Sequence, residues 1–287
     1  MKPITKCIIP AAGFGTRFLP ATKAQPKEML PIVDKPVIQY LVEEAVAAGI
    51  TDIIIVTGRG KRSIEDHFDK SFELEHTLLE KNKTKELASV ESISSLANIA
   101  YVRQPLPKGD GDALMYARHF VGNDPFLVLF GDDLIAHETP GAKQLIEAFH
   151  RKQSPIIALE RVGDDKVSSY GIVESTSAEG RTHKVDRFLE KPKASETTSR
   201  LGVIGKYVLT PDIFDYIEKA TDGKDSERRL ADAFIAMLGD RDIYGLEVEG
   251  IRYDTGDKFG FLQATIDYAL AREDLGPKLR EFMKTRI

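Results

Sequence analysis

The chain has 287 residues and a formal net charge of −5 at pH 7, from 40 lysine and arginine residues against 45 aspartate and glutamate residues. A protein with this charge is not expected to bind nucleic acid in general, and no apolar run approaches the roughly 18 residues that a membrane helix needs. The single cysteine, Cys7, excludes an internal disulfide and is typical of a protein of the reducing cytoplasm. Any site for an anionic ligand must therefore be a local patch of lysine and arginine.

The first predicted element is a short apolar strand that leads into a loop of small residues. Cys7–Ile9 is too short for a helix and has the composition of a buried parallel strand. The chain then reads Pro-Ala-Ala-Gly-Phe-Gly-Thr-Arg-Phe-Leu-Pro over residues 10–20, and such small residues let the backbone offer its N–H groups to phosphate. Arg17 and Lys27 add positive charge. This combination predicts a nucleotide site.

The loop matches neither of the two common nucleotide-binding motifs. A P-loop needs Gly-Lys followed by Ser or Thr, which is missing here, and Phe18 stands where the dinucleotide fingerprint needs a third small residue. Gly13 and Gly15 alone are therefore weak support for a ligand site. The structural alternative is a tight glycine turn that closes the strand.

Strands and helices alternate through the first half of the chain. A helix over residues 36–49 and a strand over Asp52–Thr57 complete a strand–helix–strand unit, which predicts a parallel sheet. The further elements expected here are helices over 61–70, over 72–96 (as one helix or two), from about 113, and over 141–152, with strands over 99–103, 126–130 and 155–160.

An acidic pair follows the strand predicted over residues 126–130. Asp132 and Asp133 lie just past its carboxyl end, which is where α/β sheets bind their ligands. A carboxylate at this position is well placed to hold Mg²⁺ on a phosphate. The alternative is a solvated turn or the N-cap of a following helix.

The second half of the chain has a different pattern, with short strands separated by turns. From Tyr170 to Leu209 it predicts antiparallel hairpins. The elements expected are strands over 171–174, 183–189 and 202–209 with a turn at 178–180, helices over 211–220 and 229–238, a final hairpin of 243–248 with 251–253, and helices from about 259 to the end.

A longer pattern makes the opening loop specific. The chain carries Ala-Ala-Gly-x-Gly-Thr-Arg-Phe-Leu-Pro-x-Thr-Lys followed by Pro-Lys-Glu-Met-Leu-Pro. This resembles the signature of the sugar-1-phosphate nucleotidylyltransferases, in detail that of the bacterial UTP–glucose-1-phosphate uridylyltransferases, and the likeness extends from about Lys6 to Ala271. The resemblance implies an α/β fold of the nucleotide-diphospho-sugar transferase type: a Rossmann-like, mostly parallel mixed sheet flanked by helices, with a small antiparallel sugar-side region. It implies one domain over residues 1–287, with a nucleotide-binding half to about 165 and a sugar-binding and C-terminal part from about 166.

The resemblance also implies a role for individual residues. Arg17 and Lys27 would hold the triphosphate, and Lys191 would bind the sugar phosphate; these are the expected catalytic residues. Uridine would contact Ala12, Gly13, Glu28, Gln104 and Gly109, glucose would contact Gly171, Glu190 and Val203, and Mg²⁺ would be held by Asp132 and Asp254. For Glu190 and Lys191 the alternative is an exposed strand end rich in ion pairs, and for Asp254 it is a turn-forming aspartate.

The implied reaction joins UTP and glucose 1-phosphate, with Mg²⁺, into UDP-glucose and pyrophosphate. A sugar phosphate is already mostly charged at neutral pH, so no general base is needed; the chemistry calls for positioning and for cations. The resemblance also suggests a homodimer or homotetramer in the cytoplasm. Two alternatives remain open: a thymidylyltransferase or another sugar-1-phosphate nucleotidylyltransferase, and a non-catalytic regulatory relative that binds nucleotide sugar.

Two features leave the expected site unsettled. Neighbours in an extended strand point in opposite directions, so the chain must bend near Pro192 if Glu190 and Lys191 are both to reach the ligand. In addition, Asp110 and Asp112 stand in Gly-Asp-Gly-Asp-Ala, where the family commonly reads Gly-Leu-Gly-His-Ala. Carboxylates facing phosphate would weaken its binding, whereas carboxylates facing the base or solvent are tolerable.

Overall fold

The computed structural model describes residues 3–220 and 227–286. Its strands are β1 Lys6–Ala11, β2 Pro31–Ile32, β3 Lys35–Pro36, β4 Asp52–Thr57, β5 Asn98–Arg103, β6 Phe126–Leu129, β7 Asp133–Ala136, β8 Ile156–Arg161, β9 Gly171–Glu174, β10 Ser177–Glu179, β11 Thr182–Lys184, β12 Arg187–Glu190, β13 Leu201–Leu209, β14 Tyr244–Glu247 and β15 Ile251–Asp254. Its α-helices are α1 Val37–Ala47, α2 Arg62–Phe68, α3 Phe72–Glu80, α4 Thr84–Ile93, α5 Asp110–Met115, α6 Arg118–Val121, α7 Gly141–Lys152, α8 Ile213–Lys219, α9 Leu230–Met237, α10 Lys258–Ala271 and α11 Gly276–Lys284. The predicted domain also spans residues 1, 2, 221–226 and 287, and these lie outside the described residues.

The main sheet is mixed, as predicted. Its central order is β14-β8-β13-β6-β1-β4-β5, with β1 parallel to β4 and β6, β4 parallel to β5, and β8 parallel to β14. Only β13 runs against its neighbours in this order, because it pairs antiparallel with both β6 and β8. The predicted α/β fold, with a largely parallel sheet between helices, is confirmed.

Side chains of the parallel strands alternate between two apolar cores, one on each face of the sheet. In β1, Cys7 and Ile9 pack with helices α1 and α7, whereas Ile8 packs with α5, α6, α8 and α9 on the other face. Strands buried on both faces read as continuous apolar runs, and this explains why Cys7–Ile9 showed no alternation. Cys7 is fully buried, and burial raises the pKa of its thiol, so it is a core residue, as predicted.

The predicted hairpin of residues 243–248 and 251–253 is wrong. Strand β14 joins the main sheet between β8 and β11, while β15 pairs antiparallel with β7 in a separate two-stranded sheet. Gly250 makes the turn between them with a φ of 125° and packs against the carbonyl of Ala136. The turn was predicted correctly, but β14 and β15 pair with other strands and not with each other. Which strands pair depends on tertiary packing.

Two smaller differences concern the antiparallel region and the charged helical stretch. The strand predicted over 183–189 is divided into β11 and β12, which pair with different neighbours, β11 with β10 and β14, and β12 with β9. Residues 72–96, predicted as one helix or two, form α3 and α4. No helix among the described residues combines the length and the apolar character that crossing a bilayer requires.

Candidate active site

A cleft of about 420 Å³ lies at the edge of the sheet where β1, β4, β5 and β6 end. Parallel strands bring their carboxyl ends to the same edge, and α/β proteins bind ligands there. The cleft is lined by all five residues predicted to contact the nucleotide and by Lys27 and Asp132: Ala12, Gly13, Lys27, Glu28, Gln104, Gly109 and Asp132. One end is formed by the turn after β5, and the other by the turn after β6.

Glu28 lines this cleft and has one carboxylate oxygen without a hydrogen-bond partner among the described residues. The residue is 1% exposed, and its Oε2 accepts a hydrogen bond from the buried Lys61 Nζ at 2.7 Å. Its Oε1 accepts no hydrogen bond from the described residues. An unpaired buried acceptor costs free energy, so this oxygen is suited to a ligand that brings a hydroxyl or N–H group.

Lys61 is a site residue that the sequence analysis missed. It follows β4 through the Gly58-Arg59-Gly60 segment, and β4 lies next to β1 at the ligand-binding edge of the sheet. Burial lowers the pKa of Lys61, and the adjacent Glu28 carboxylate opposes that shift. The glycine-flanked cation past a buried strand was a signal that could have identified it.

The turn after β5 forms the end of the cleft near Gln104. Gly109 has a φ of 100°, and a Cβ atom on it would collide with the carbonyl of Arg228, so this position requires glycine. Asp110 Oδ1 accepts from the backbone N–H groups of Gly111 and Leu230 at 2.7 and 2.9 Å. Burial raises the pKa of Asp110, although these two N–H groups partly offset the shift. Asp112, in turn, accepts from Gln104. Both carboxylates that depart from the family pattern are therefore engaged within the protein.

Cations and carboxylates lie together around Gly256, next to Lys27 and Asp132 of the cleft. Lys27 Nζ donates to Asp132 Oδ2 at 2.6 Å, and Arg17 donates to the Gly256 carbonyl at 3.3 Å. A Cβ atom on Gly256 would lie 2.7 Å from Asp132 Oδ2 and 3.1 Å from Asp254 Oδ1, so the two carboxylates face each other across this glycine. Arg17, Lys27, Asp132 and Asp254 come from three distant parts of the sequence, and the fold brings them together.

The pKa shifts at this centre follow from the charges. Burial raises the pKa of Asp132, but Lys27 and Arg17 outweigh that effect, and the net shift is downward. Burial likewise lowers the pKa of Lys27, and Asp132 more than compensates. Asp254 shifts upward, because it is buried and lies near the carboxylates of Asp133 and Asp132. Crowded carboxylates of this kind are suited to a bound cation.

The donor set fits Mg²⁺ held jointly by protein and substrate. Among the described residues, no group of three or more His, Cys, Asp or Glu side chains is arranged to hold a metal by itself. Magnesium is commonly bound by one or two carboxylates together with substrate phosphates and water. Asp132 and Asp254 supply the two carboxylates, so the residues present are compatible with such an ion.

A second cleft of about 590 Å³ lies beside this centre and is lined in part by Arg17, Asp254, Tyr170 and Arg252. Arg252 is another residue that the sequence analysis missed. It donates to Asp133 at 2.6 Å and to Glu160 and the Tyr170 hydroxyl at 3.0 Å each. Arg252 precedes Asp254 by two residues in β15, and the two-residue period of a strand would have placed both on one face.

The sugar-side residues are adjacent to one another but do not line either cleft. Gly171 pairs with Glu190 in the β9–β12 ladder, and a Cβ atom on Gly171 would lie 3.4 Å from Glu190 Oε2. Val203 lies in β13 where its register on β8 shifts. Burial raises the pKa of the Tyr207 hydroxyl, and the nearby carboxylates of Asp110, Asp133, Glu190 and Asp132 add to the shift.

The backbone at Lys191 allows the side chains of Glu190 and Lys191, neighbours in the sequence, to point to the same side. Its φ is 48°, in the left-handed region, and this turns the chain directly after β12 ends. Lys191 Nζ then lies 3.5 Å from Glu190 Oε1, so the two side chains share one side of the segment. Lys191 is 61% exposed, and among the described residues it forms no ion pair with Asp132 or Asp254; the structure brings Arg17, Lys27, Asp132 and Asp254 together without it.

Comparisons with known proteins match this arrangement. Residues 6–270 match the family model described as Nucleotidyl transferase. The chain is 50% identical to UTP–glucose-1-phosphate uridylyltransferase of Bacillus subtilis over 284 residues, which covers 99% of this chain and 97% of the relative. It belongs to the nucleotidyl transferase family.

Solved structures of other nucleotidyltransferases share the fold over nearly the whole chain. A UDP-glucose pyrophosphorylase complexed with UDP-glucose superimposes with a TM-score of 0.85 at 42% identity, covering 94% of this chain and 100% of that one. The UTP-bound enzyme of Acinetobacter baumannii superimposes with a TM-score of 0.90 at 38% identity, covering 98% of each chain. This nucleotidyltransferase is therefore similar to uridylyltransferases in sequence and in structure.

Proposed function

We propose that this protein transfers a uridylyl group from UTP to glucose 1-phosphate and releases UDP-glucose and pyrophosphate. The observation that carries the proposal is the cleft itself. Its residues near β5 offer hydrogen-bonding groups without a net positive charge, and its β6 end carries Lys27 and Asp132. Arg17 and Asp254 lie beside them and line the second cleft. A nucleoside triphosphate has the same polarity, with an uncharged base at one end and a polyanion at the other.

The reaction requires a phosphate oxygen of glucose 1-phosphate to attack the α-phosphorus of UTP as pyrophosphate leaves. Two unit charges 4 Å apart interact by about 4 kcal/mol at an effective dielectric near 20, so unscreened phosphates would be slow to meet. Lys27 and Arg17 would hold the triphosphate, and Lys191 would hold the sugar phosphate. Their positive charge lowers the repulsion and stabilises the charge that develops on the leaving group.

Magnesium completes the charge balance in this proposal. Asp132 and Asp254 would hold the ion, which supplies charge neutralisation on the phosphates when bound. The carboxylates alone would repel a polyanion, and the low pKa of Asp132 keeps it in the charged form that binds a cation. Lys27 Nζ, which donates to Asp132 Oδ2 at 2.6 Å, would contact both this carboxylate and a phosphate.

Glucose would lie on the sugar side, against Gly171, Glu190 and Val203. Glu190 provides carboxylate oxygens that can accept from sugar hydroxyls. The Phe188 ring packs against Gly171, because a Cβ atom there would lie 2.8 Å from it. We extend the proposal to one domain with a nucleotide-binding half and a sugar-binding part, and to a homodimer or homotetramer. Light scattering coupled to size-exclusion chromatography measures that assembly state.

Pyrophosphate release tests the proposed reaction directly. Purified protein is mixed with glucose 1-phosphate and each nucleoside triphosphate in turn, with Mg²⁺ and with EDTA. We expect release with UTP and Mg²⁺ only. Release mainly with dTTP would make the protein a thymidylyltransferase, and UTP binding without any release would make it a non-catalytic relative. The engaged positions of Asp110 and Asp112 give that last alternative no support.

A further inference from the structure

The carboxylate of Asp112 accepts a hydrogen bond from the side chain of Gln104 at the β5 end of the cleft. Both residues are buried, Gln104 at 3% and Asp112 at 8% exposure. Gln104 Nε2 donates to Asp112 Oδ2 at 2.7 Å and to the Gly109 carbonyl at 3.3 Å. The contact between them is therefore a short hydrogen bond in a region from which water is largely excluded.

The chemistry of these two partners fixes which way the Gln104 amide faces. A carboxylate and a backbone carbonyl have only acceptor oxygens, so both require the NH₂ group of the glutamine. If the amide turned over, its oxygen would face two acceptors, and two buried hydrogen bonds would be replaced by repulsion. The Gln104 NH₂ group thus has both hydrogens committed to the protein.

The oxygen of the Gln104 amide is consequently the group available to a ligand. Oε1 accepts no hydrogen bond from the described residues, and Gln104 lines the cleft. A histidine at position 112, which the family pattern commonly has, could either donate or accept, depending on its tautomer. An aspartate removes that freedom, since its carboxylate only accepts.

We infer that Asp112 is a specificity-determining residue that selects uracil over cytosine by holding Gln104 with its oxygen toward the base. The inference rests on the proposed function, because it takes the base of UTP as the ligand at this end. The N3 position of uracil carries a hydrogen and donates to Oε1. The N3 position of cytosine is an acceptor, and it would face the same oxygen lone pair to lone pair. Thymine shares the uracil N3–H, so this contact does not separate UTP from dTTP.

The test measures binding of UTP and CTP by isothermal titration calorimetry in the presence of Mg²⁺ and without glucose 1-phosphate, so it does not depend on turnover. The wild type should prefer UTP over CTP by at least 100-fold. Asp112→Asn places an amide beside Gln104 that can accept or donate, and Gln104 can then turn over. We expect the UTP preference to fall by at least tenfold, mainly through tighter CTP binding.

Two variants serve as matched controls. Asp112→Glu keeps an acceptor-only group and should retain most of the preference, and Asp110→Asn alters a carboxylate that bonds to the backbone N–H groups of Gly111 and Leu230 instead of Gln104. The latter should leave the UTP/CTP affinity ratio within about twofold. A probe for the wild type alone is 3-methyl-UTP, which lacks the N3–H and should bind at least 100-fold more weakly than UTP.

The outcomes separate this inference from the proposed function. An unchanged UTP/CTP ratio in Asp112→Asn, or equal binding of 3-methyl-UTP and UTP, overturns the inference while uridylyl transfer by the wild type still stands. A wild type that binds neither nucleotide overturns both. If Asp112→Asn does not fold, the 3-methyl-UTP result and the Asp112→Glu ratio decide the matter.

Discussion

At the scale of single residues, the backbone of Lys191 determines where two charged side chains point. A non-glycine residue with a φ of 48° costs about 1 kcal/mol or more, and such strain is often found at functional sites. Here this backbone conformation interrupts the alternation of side-chain directions along the strand, so the side chains of Glu190 and Lys191 lie on the same side. In the proposed function, this one residue would place an acceptor for sugar hydroxyls beside a cation for the sugar phosphate.

We predict that Lys191→Ala lowers kcat by about 100-fold to 1,000-fold, because a lost charge contact of about 4 kcal/mol corresponds to nearly three powers of ten. The Kd for UTP, measured by calorimetry, should change less than about twofold. Lys193→Ala, an exposed lysine two residues away, is the matched control and should keep full turnover. If Lys191→Ala weakened UTP binding as much as it lowered turnover, this lysine would belong to the nucleotide.

At the scale of secondary-structure elements, side chains tie together strands that are far apart in the sequence. Glu247 on β14 accepts from His183 on β11 at 2.7 Å and pairs with Arg161 on β8 at 2.7 Å. These contacts cross the sheet on both sides of β14. Burial raises the pKa of Glu247, but the hydrogen bonds from Arg161 and His183 outweigh it, and the net pKa is lowered.

We predict that this cluster makes stability depend on pH in the acid range. A carboxylate whose pKa is lower in the folded state contributes stability above its unfolded pKa of about 4.3, and that contribution is lost as pH falls through the folded value. Glu247→Gln should lower the free energy of unfolding at pH 7 by about 1 kcal/mol and flatten its fall below pH 4, measured by urea denaturation. Glu147→Gln, at an exposed position on α7, is the control; an equal effect there would contradict the assignment to this cluster.

At the scale of the whole molecule, charged groups from the entire chain lie together at one edge of the sheet. The centre around Gly256 joins Arg17 and Lys27 near the start to Asp132 in the middle and Asp254 near the end. In the proposed function, nucleotide and metal binding would tie these segments together in the native state only. Ligand binding should therefore stabilise the fold as a unit.

We predict that UTP with Mg²⁺ raises the melting temperature by roughly 5 °C at a hundredfold excess over Kd, since this excess stabilises the native state by about 2.7 kcal/mol. Differential scanning fluorimetry measures the shift. EDTA should reduce it strongly, and Asp254→Asn should reduce the part that depends on Mg²⁺. A shift that is the same with EDTA would mean that the metal is not held together with the nucleotide.

Local patterns in the sequence were sufficient for most elements, and the family resemblance implied the residues of the nucleotide cleft. Continuous apolar runs such as Asp52–Thr57 have the right length and composition only for buried parallel strands, and their carboxyl ends must meet at one edge. The five residues expected to contact uridine line one cleft together with Lys27 and Asp132, whereas Arg17 lines the second cleft. Their chemical roles, like those of the sugar-side residues, remain predictions.

The pairing of strands and of buried side chains could be read only from the tertiary structure. A turn at Gly250 does not reveal that β14 and β15 join different sheets, because hydrogen-bonding partners are chosen by the whole fold. Similarly, a lysine after Gly58-Arg59-Gly60 does not reveal that it pairs with Glu28, nor do two aspartates in a turn reveal that one binds backbone and the other a glutamine. The sequence by itself determined which residues lie at the ligand-binding edge, since strand period and chain direction are local properties. How those residues are paired, and which atoms they leave for a ligand, was decided by the packing of the folded chain, at separations from 8 residues for Gln104 and Asp112 to 120 for Asp110 and Leu230.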